Sequence, residues 1–165
     1  MAQSTYSSSR AIGYEGALAD QKGSDIHYMR NDEASAEMRF GHAVKFDSAT
    51  DESSAKILTA TSETVAGIVM KDSYESAQLG DAGPVAGQSL SVIRKGRIYA
   101  RCEDGCSVGD RLFIRAVATG AENPGALRAA ADGTDCIDSQ GQGQWMTSAA
   151  AGEIAVLDFD FSREP

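Results

Sequence analysis

The chain has 165 residues, enough for one domain with a substantial core. Its 24 acidic and 15 basic residues give a formal net charge of -9, which disfavours nucleic-acid binding and attraction to an anionic membrane. It has no run of about 20 apolar residues, and its first ten residues, MAQSTYSSSR, lack the apolar core of a signal peptide. We therefore expect a protein that is made and used without export.

The N-terminal segment is rich in serine and has no periodic apolar pattern. We predict an extended N-terminal arm over residues 1–20 and a single β-rich domain over residues 21–165. Between residues 11 and 51 the apolar positions are isolated from one another. Only residues 31–40 combine a capping residue with helix formers, and they predict one or two helical turns.

From residue 57 onward the sequence changes to short runs of β-forming residues. The predicted strands are residues 57–60, 65–70, 89–93, 97–102, 111–117 and 154–161. A turn at Lys95-Gly96 makes a hairpin of the third and fourth. In the last strand apolar residues alternate with acids, which is typical of a half-buried strand. The pattern predicts a mainly β protein, a small antiparallel β-barrel or sandwich with at most one or two short helices.

Three cysteines are the residues most suggestive of a metal site. Cys102, Cys106 and Cys136, with His27 or His42, could form a zinc site of three cysteines and one histidine. Their spacing fits poorly, because Cys136 has no paired ligand nearby and Cys102 falls on the apolar face of a strand. A buried free cysteine behaves as a small hydrophobic residue. We therefore predict no metal and no cofactor.

The chain lacks the common catalytic motifs HExxH, GxGxxG and a glycine loop ending in GK[ST]. Neither histidine has a nucleophile nearby in a recognised arrangement, so no catalytic residue is predicted. Asp81-Ala82-Gly83 faintly resembles the AGxDL segment of trimeric dUTP-hydrolysing β proteins, although Pro84-Val85 stand where the aspartate should follow. A trimeric β-barrel nucleotide hydrolase is the first alternative function.

Two features suggest contact surfaces. Arg94, Lys95 and Arg97 make the predicted hairpin locally basic, which is typical of a solvated face or of a contact with a partner or neighbouring subunit. Trp145 is the only tryptophan. It is either an anchor in the core or at a subunit interface, or part of a sugar-binding platform. A soluble glycan- or ligand-binding module is therefore the second alternative.

Seven segments follow one another in an informative order. They are GYEGALAD (13–20), RFGHAVKF (39–46), VAGIVM (65–70), SLSVIRKGRIYARCE (89–103), SVGDRLFIR (107–115), GALRAAADG (125–133) and WMTSAAAGEIAVLDFDF (145–161). In this order they resemble tailed-phage structural cement proteins, also called head decoration proteins. The resemblance covers most of the chain from Gly13 onward, and its specificity lies in the order of modest motifs.

The resemblance implies a compact β domain with an extended arm and no enzymatic activity. Such a protein binds the outside of an icosahedral head across junctions of the major capsid protein, often as a homotrimer. It implies a virion location on the outer capsid surface after synthesis in the host cytoplasm, with no direct nucleic-acid or membrane binding. The predicted capsid or subunit contacts are Ile12, Tyr14, Leu18, Arg94, Lys95, Arg97 and Trp145. For the first three, the alternative is packing against their own barrel.

Overall fold

The computed structural model describes residues 13–34, 38–48, 51–71, 83–120 and 122–162. In this part of the chain the protein is all-β, with ten strands and no helix. The strands are β1 (Leu18–Asn31), β2 (Ala43–Ser48), β3 (Asp51–Ile57), β4 (Val65–Met70), β5 (Ser89–Arg101), β6 (Phe113–Arg115), β7 (Leu127–Arg128), β8 (Cys136–Asp138), β9 (Gly143–Trp145) and β10 (Ile154–Asp160). The prediction of a mainly β fold is confirmed.

Five strands form a closed barrel in the order β1–β3–β2–β4–β5, and pairing of β1 with β5 closes it. Neighbouring strands are antiparallel except β1 and β3, which run parallel where Arg30 lies opposite Ser54. β10 and then β9 continue the sheet from β5, while β7, β6 and β8 make a separate three-stranded sheet. The antiparallel barrel is therefore the scaffold that positions every other segment.

The barrel wall separates two hydrophobic cores. The first core takes residues from all five barrel strands, including Met29, Val44, Ala55, Val69 and Val92. Ile68 and Ile93, each next to one of these residues, instead enter the second core with Leu112, Ile114 and Leu157. Because successive side chains of a strand point to opposite faces, β4 and β5 are buried on both sides. The second core joins the barrel to β10 and the three-stranded sheet.

The predicted alternation of β10 is confirmed. Ala155, Leu157 and Phe159 are buried in the second core, while the residues between them are partly exposed. Burial of Leu157 and of Phe159 stabilises the fold by about 1.5–3 kcal/mol each. The same core contains Ile98, Ala100 and Cys102, which are spaced two residues apart and so point to the same side of the sheet.

β5 runs without interruption through Lys95-Gly96, so the predicted hairpin turn there is wrong. Gly96 lies directly opposite Phe159 of β10, and the pairing continues on either side of it. Its φ of +135° is one that residues with side chains rarely adopt. A Cβ there would lie 2.9 Å from Ser24 Oγ in the irregular part of β1. The glycine therefore accommodates a close neighbour and does not reverse the chain.

The N-terminal half differs most from the sequence-based expectation. β1 and β2 were not predicted, and β3 ends at Ile57, where a strand had been expected to begin. Residues 31–34 and 38–40 contain no helix, and residues 35–37 of the predicted helical segment lie outside the described residues. β1 has register shifts against β5 at three places, which is why its apolar residues show no regular period.

Candidate interaction surface

The basic residues of β5 that were predicted to form a contact surface face acidic residues of β10. Lys95 lies opposite Asp160 and Arg97 opposite Asp158 in the strand pairing. Lys95 Nζ donates to Asp160 Oδ2 at 2.9 Å, and Arg97 Nε donates to Asp158 Oδ2 at 3.0 Å. Hydrogen bonds from Ser162, and then from Lys95, lower the pKa of Asp160 to about 2. Both basic side chains therefore have a charge partner within the chain.

Two further arginines of β5 are also paired. Arg94 Nη1 lies 3.6 Å from Glu52 Oε2, and its guanidinium lies 5.5 Å from the centre of the Phe46 ring. Arg101 Nε donates to Glu15 Oε2 at 3.0 Å. In each pair one partner is exposed to water, and such ion pairs are weak, about 0–1 kcal/mol each. They nevertheless make this strand a neutralised surface, so a partner would have to share or displace the pairs.

The three predicted N-terminal anchors have different positions. Ile12 lies outside the described residues. Tyr14 is 44% exposed, and Lys71 Nζ lies 5.8 Å from the centre of its ring. Leu18 pairs with Ile98 in β5 and packs against the second core. Of the two described anchors, Tyr14 is therefore the one whose side chain is partly open to a partner.

Residues 13–20 are held against the barrel. Gly16 N donates to Tyr99 O, and Tyr99 N donates to Ala17 O, both at 2.8 Å. β1 then begins at Leu18, two residues before the predicted end of the arm. An arm over residues 1–12 stays a prediction, because those residues lie outside the described part of the chain.

Trp145 belongs to the core. Its side chain is 0% exposed, and its Nε1 donates to the Arg128 carbonyl oxygen at 3.2 Å. Of the alternatives for this residue, the structure therefore places it as a core anchor. The prediction that Trp145 directly contacts a capsid subunit or a sugar is wrong, because its own domain already encloses its ring.

A groove of about 540 Å³ lies beside Tyr14. Residues of both charges line it, among them Glu15, Lys71 and Glu103. His42 also lines it; burial lowers the pKa of its imidazole, and its Nδ1 lies 3.1 Å from the Pro124 carbonyl oxygen. This mixed lining suits a polar protein surface better than a small apolar ligand.

Sequence reasoning missed several exposed apolar residues. Tyr28 on β1 is 80% exposed and Val108 is 66% exposed. The segments that contain Val108 and the exposed Met146 are joined by a hydrogen bond, in which Gly109 N donates to the Trp145 carbonyl oxygen at 2.8 Å. Neighbouring exposed apolar residues are typical of contact surfaces. The sequence contained one signal, which is that Val108 is an apolar residue inside a polar turn. The segment that the fold brings next to it lies about 40 residues later in the chain.

Cys102 and Cys106 are buried, and Cys136 is partly exposed. Burial raises the pKa of both the Cys102 and the Cys106 thiols, which makes them poor nucleophiles. Among the described residues, no three histidine, cysteine, aspartate or glutamate side chains are grouped so that they could hold a metal ion. Asp81 and Ala82, which carried the faint nucleotide-hydrolase resemblance, lie outside the described residues.

The barrel and its second sheet define a small all-β domain. The chain belongs to the structural cement protein family (E217 gp24/Pam3 gp6), whose family model matches residues 2–160. This confirms the family resemblance of the sequence. It gives the protein a structural role in the phage virion, in association with capsid proteins.

A solved structure supports the same fold. A chain of "The capsid of Myoviridae Phage XM1" superposes with a TM-score of 0.69 at 16% sequence identity, covering 96% of both chains. No curated protein matches the sequence. The described residues contain no helix that is long and apolar enough to cross a membrane. Family membership favours the cement interpretation over the nucleotide-hydrolase and glycan-binding alternatives.

Proposed function

We propose that the protein binds the outer surface of an icosahedral phage head, bridges neighbouring major capsid subunits and stabilises the assembled shell. The observation that carries this proposal is the family match over residues 2–160. A ligand that binds the assembled lattice and not its separated subunits stabilises the lattice by mass action. Attachment as a homotrimer, which we include in the proposal, raises the effective concentration of each copy at its site.

The surface supports attachment through apolar contacts and neutral hydrogen bonds. The chain has a formal net charge of -9, and the basic residues Arg94, Lys95, Arg97 and Arg101 of β5 already face acids. Tyr14, exposed beside its groove, stands where residues 1–12 join the domain. The proposed arm would order on the capsid from this point and pay its ordering entropy there.

The direct test mixes purified protein with undecorated heads, followed by electron microscopy and a heat-stability assay of the heads. Ordered density on the outer surface and a higher disruption temperature are expected. Absence of that density together with unchanged head stability would contradict the proposal. Sedimentation of the free protein, compared with its grouping on the head, tests the homotrimer.

The arm is tested by deleting residues 1–12. The deletion leaves the contacts of Gly16 and Leu18 with β5 in place, so the barrel should keep its circular-dichroism spectrum and urea midpoint. Attachment to heads should weaken. A deletion of residues 1–20 is a poorer test, because it also removes the start of β1. Unchanged attachment of the shorter deletion would contradict the role of the arm.

A further inference from the structure

A second cavity, of about 400 Å³, lies between the barrel and the three-stranded sheet. We call it the β2–β8 cavity. Its apolar walls are Phe46, Val65, Ile114, Ile137 and Phe161. Its volume lies within the range of about 300–1,000 Å³ that is typical of ligand-binding pockets. Apolar walls of this kind match an apolar side chain.

Two residues that line this cavity, Arg94 and Ser139, each have a hydrogen-bond donor without a partner. Arg94 Nε and Ser139 Oγ are buried and have no hydrogen-bond partner within the described part of the chain. Ser139 is only 4% exposed. Arg94 is held in place by Glu52 and by the ring of Phe46. Buried polar groups in folded proteins nearly always have partners, so the two donors call for an acceptor inside the cavity.

The charges around the cavity indicate which acceptor fits. Glu52, Glu63 and Asp138 also line it. Glu63 accepts from Thr59 N at 2.6 Å, and Asp138 lies 3.7 Å from Arg111, while Glu52 faces Arg94. Each of the three carboxylates already has a basic partner, since Lys45 also pairs with Glu63, so an anion in the cavity would add an uncompensated negative charge beside them. A neutral carbonyl oxygen meets the two donors without this repulsion.

We propose that the β2–β8 cavity receives an uncharged, apolar peptide segment of the major capsid protein, with carbonyl oxygens accepting from Arg94 Nε and Ser139 Oγ. This inference rests on the proposed function and names the chemistry of its partner. An apolar side chain of that segment fills the space between Phe46 and Phe161, while its main chain supplies the acceptors.

The serine hydroxyl gives a test that separates binding from folding. Ser139→Ala removes a donor that is unused in the free protein, so the urea midpoint should stay the same or rise. Affinity for undecorated heads should fall about fivefold, the usual effect of one lost hydrogen bond. Ser107→Ala is the matched control, since Ser107 is exposed and does not line the cavity. Its affinity should be unchanged.

Filling the cavity provides a second variant. Thr64 is exposed and lines the cavity, while Thr61 is exposed in the same turn and does not line it. Thr64→Trp should lower affinity for heads at least about tenfold, and Thr61→Trp should have little effect. Circular dichroism and urea unfolding of both variants confirm that the barrel is intact.

The outcomes separate the two proposals. Failure of the wild-type protein to bind heads contradicts the proposed function. Wild-type binding with Ser139→Ala and Thr64→Trp as tight as their controls overturns the cavity inference alone. A changed sedimentation coefficient of Thr64→Trp with unchanged head binding also overturns it, because the cavity would then receive a second copy of this chain.

Discussion

Arg115 links three acidic side chains at one end of the three-stranded sheet. Its side chain is 0% exposed, with Nε 3.1 Å from Glu103 Oε2. Its Nη2 lies 2.6 Å from Glu122 Oε2 and 2.8 Å from Asp132 Oδ2. The substitution Arg115→Met removes this charge and keeps much of the apolar stem. We expect it to destabilise the domain without changing its fold.

The exposure of the three carboxylates sets the size of the effect. Removing one partner of a buried ion pair typically costs about 3–5 kcal/mol, because the other charge stays buried. Here Glu122 and Asp132 are 40% and 47% exposed, so water can solvate them again. Glu103 is 20% exposed and keeps its ion pair with Arg128. We therefore expect the lower end, about 3 kcal/mol, or a fall in Tm of roughly 6–12 °C for a domain of this size.

Urea unfolding at neutral pH, followed by circular dichroism, measures this loss. Arg111→Met is the control, because Arg111 is 62% exposed and 3.7 Å from Asp138, and we expect it to cost under about 1 kcal/mol. An equal loss in both variants would refute the reasoning. In addition, Arg115 lowers the pKa of Asp132 in the wild-type protein. That carboxylate stabilises the fold above its unfolded pKa, and its contribution is lost as pH falls through the lowered value.

Three other substitutions test separate parts of the fold. Burial raises the pKa of Glu63, but hydrogen bonds from Lys45 and from its own turn outweigh burial and lower the pKa to about 2. Glu63→Gln should therefore cost about 1–2 kcal/mol at neutral pH. In urea titrations this cost should fade as pH falls from about 4.3 towards 2. Trp145→Phe should cost about 2 kcal/mol in urea unfolding, because it leaves a void and removes the Nε1 hydrogen bond to the Arg128 carbonyl oxygen. Gly67→Ala places a Cβ 2.5 Å from a β5 carbonyl oxygen and should lower the unfolding free energy by about 1–3 kcal/mol or prevent folding.

Matched variants show whether these losses have the stated causes. Glu52→Gln removes a carboxylate that is 65% exposed and should change stability by under about 0.5 kcal/mol. Tyr28→Phe alters an aromatic residue that is 80% exposed and should be similarly silent. A Glu63→Gln effect that persists unchanged at pH 2 would contradict the role of its charge. A stable, fully folded Gly67→Ala would contradict the close approach of β4 and β5.

Strands were predictable where β-forming residues make a short run between turn residues. β4 was predicted at its observed bounds, and β10 differs by one residue. In β10, alternation of apolar and acidic residues follows directly from burial on one face. β1 gave no such signal, because its bulges change which residues face inward. A 14-residue strand therefore looked like a loop.

The interaction surface was predictable only in its residue types. The basic cluster of β5 is local in sequence, but its partners are not: Lys95 and Asp160 are 65 positions apart. No sequence pattern gives the register that brings them together. Similarly, the position of Trp145 just before the last strand fits both a core anchor and an interface anchor. The complete burial of its side chain distinguishes the two.

Two separate expectations from the sequence turn out to describe one structure. The basic residues of β5 were expected to form a contact surface, and the acids of β10 were expected to face water. The strand register places these two rows side by side, so Lys95 and Arg97 meet Asp160 and Asp158. Each row neutralises the other before any partner arrives. The proposed attachment to the capsid must therefore draw its affinity from apolar surface and from unused neutral donors such as Ser139 Oγ, and rising salt should weaken it little.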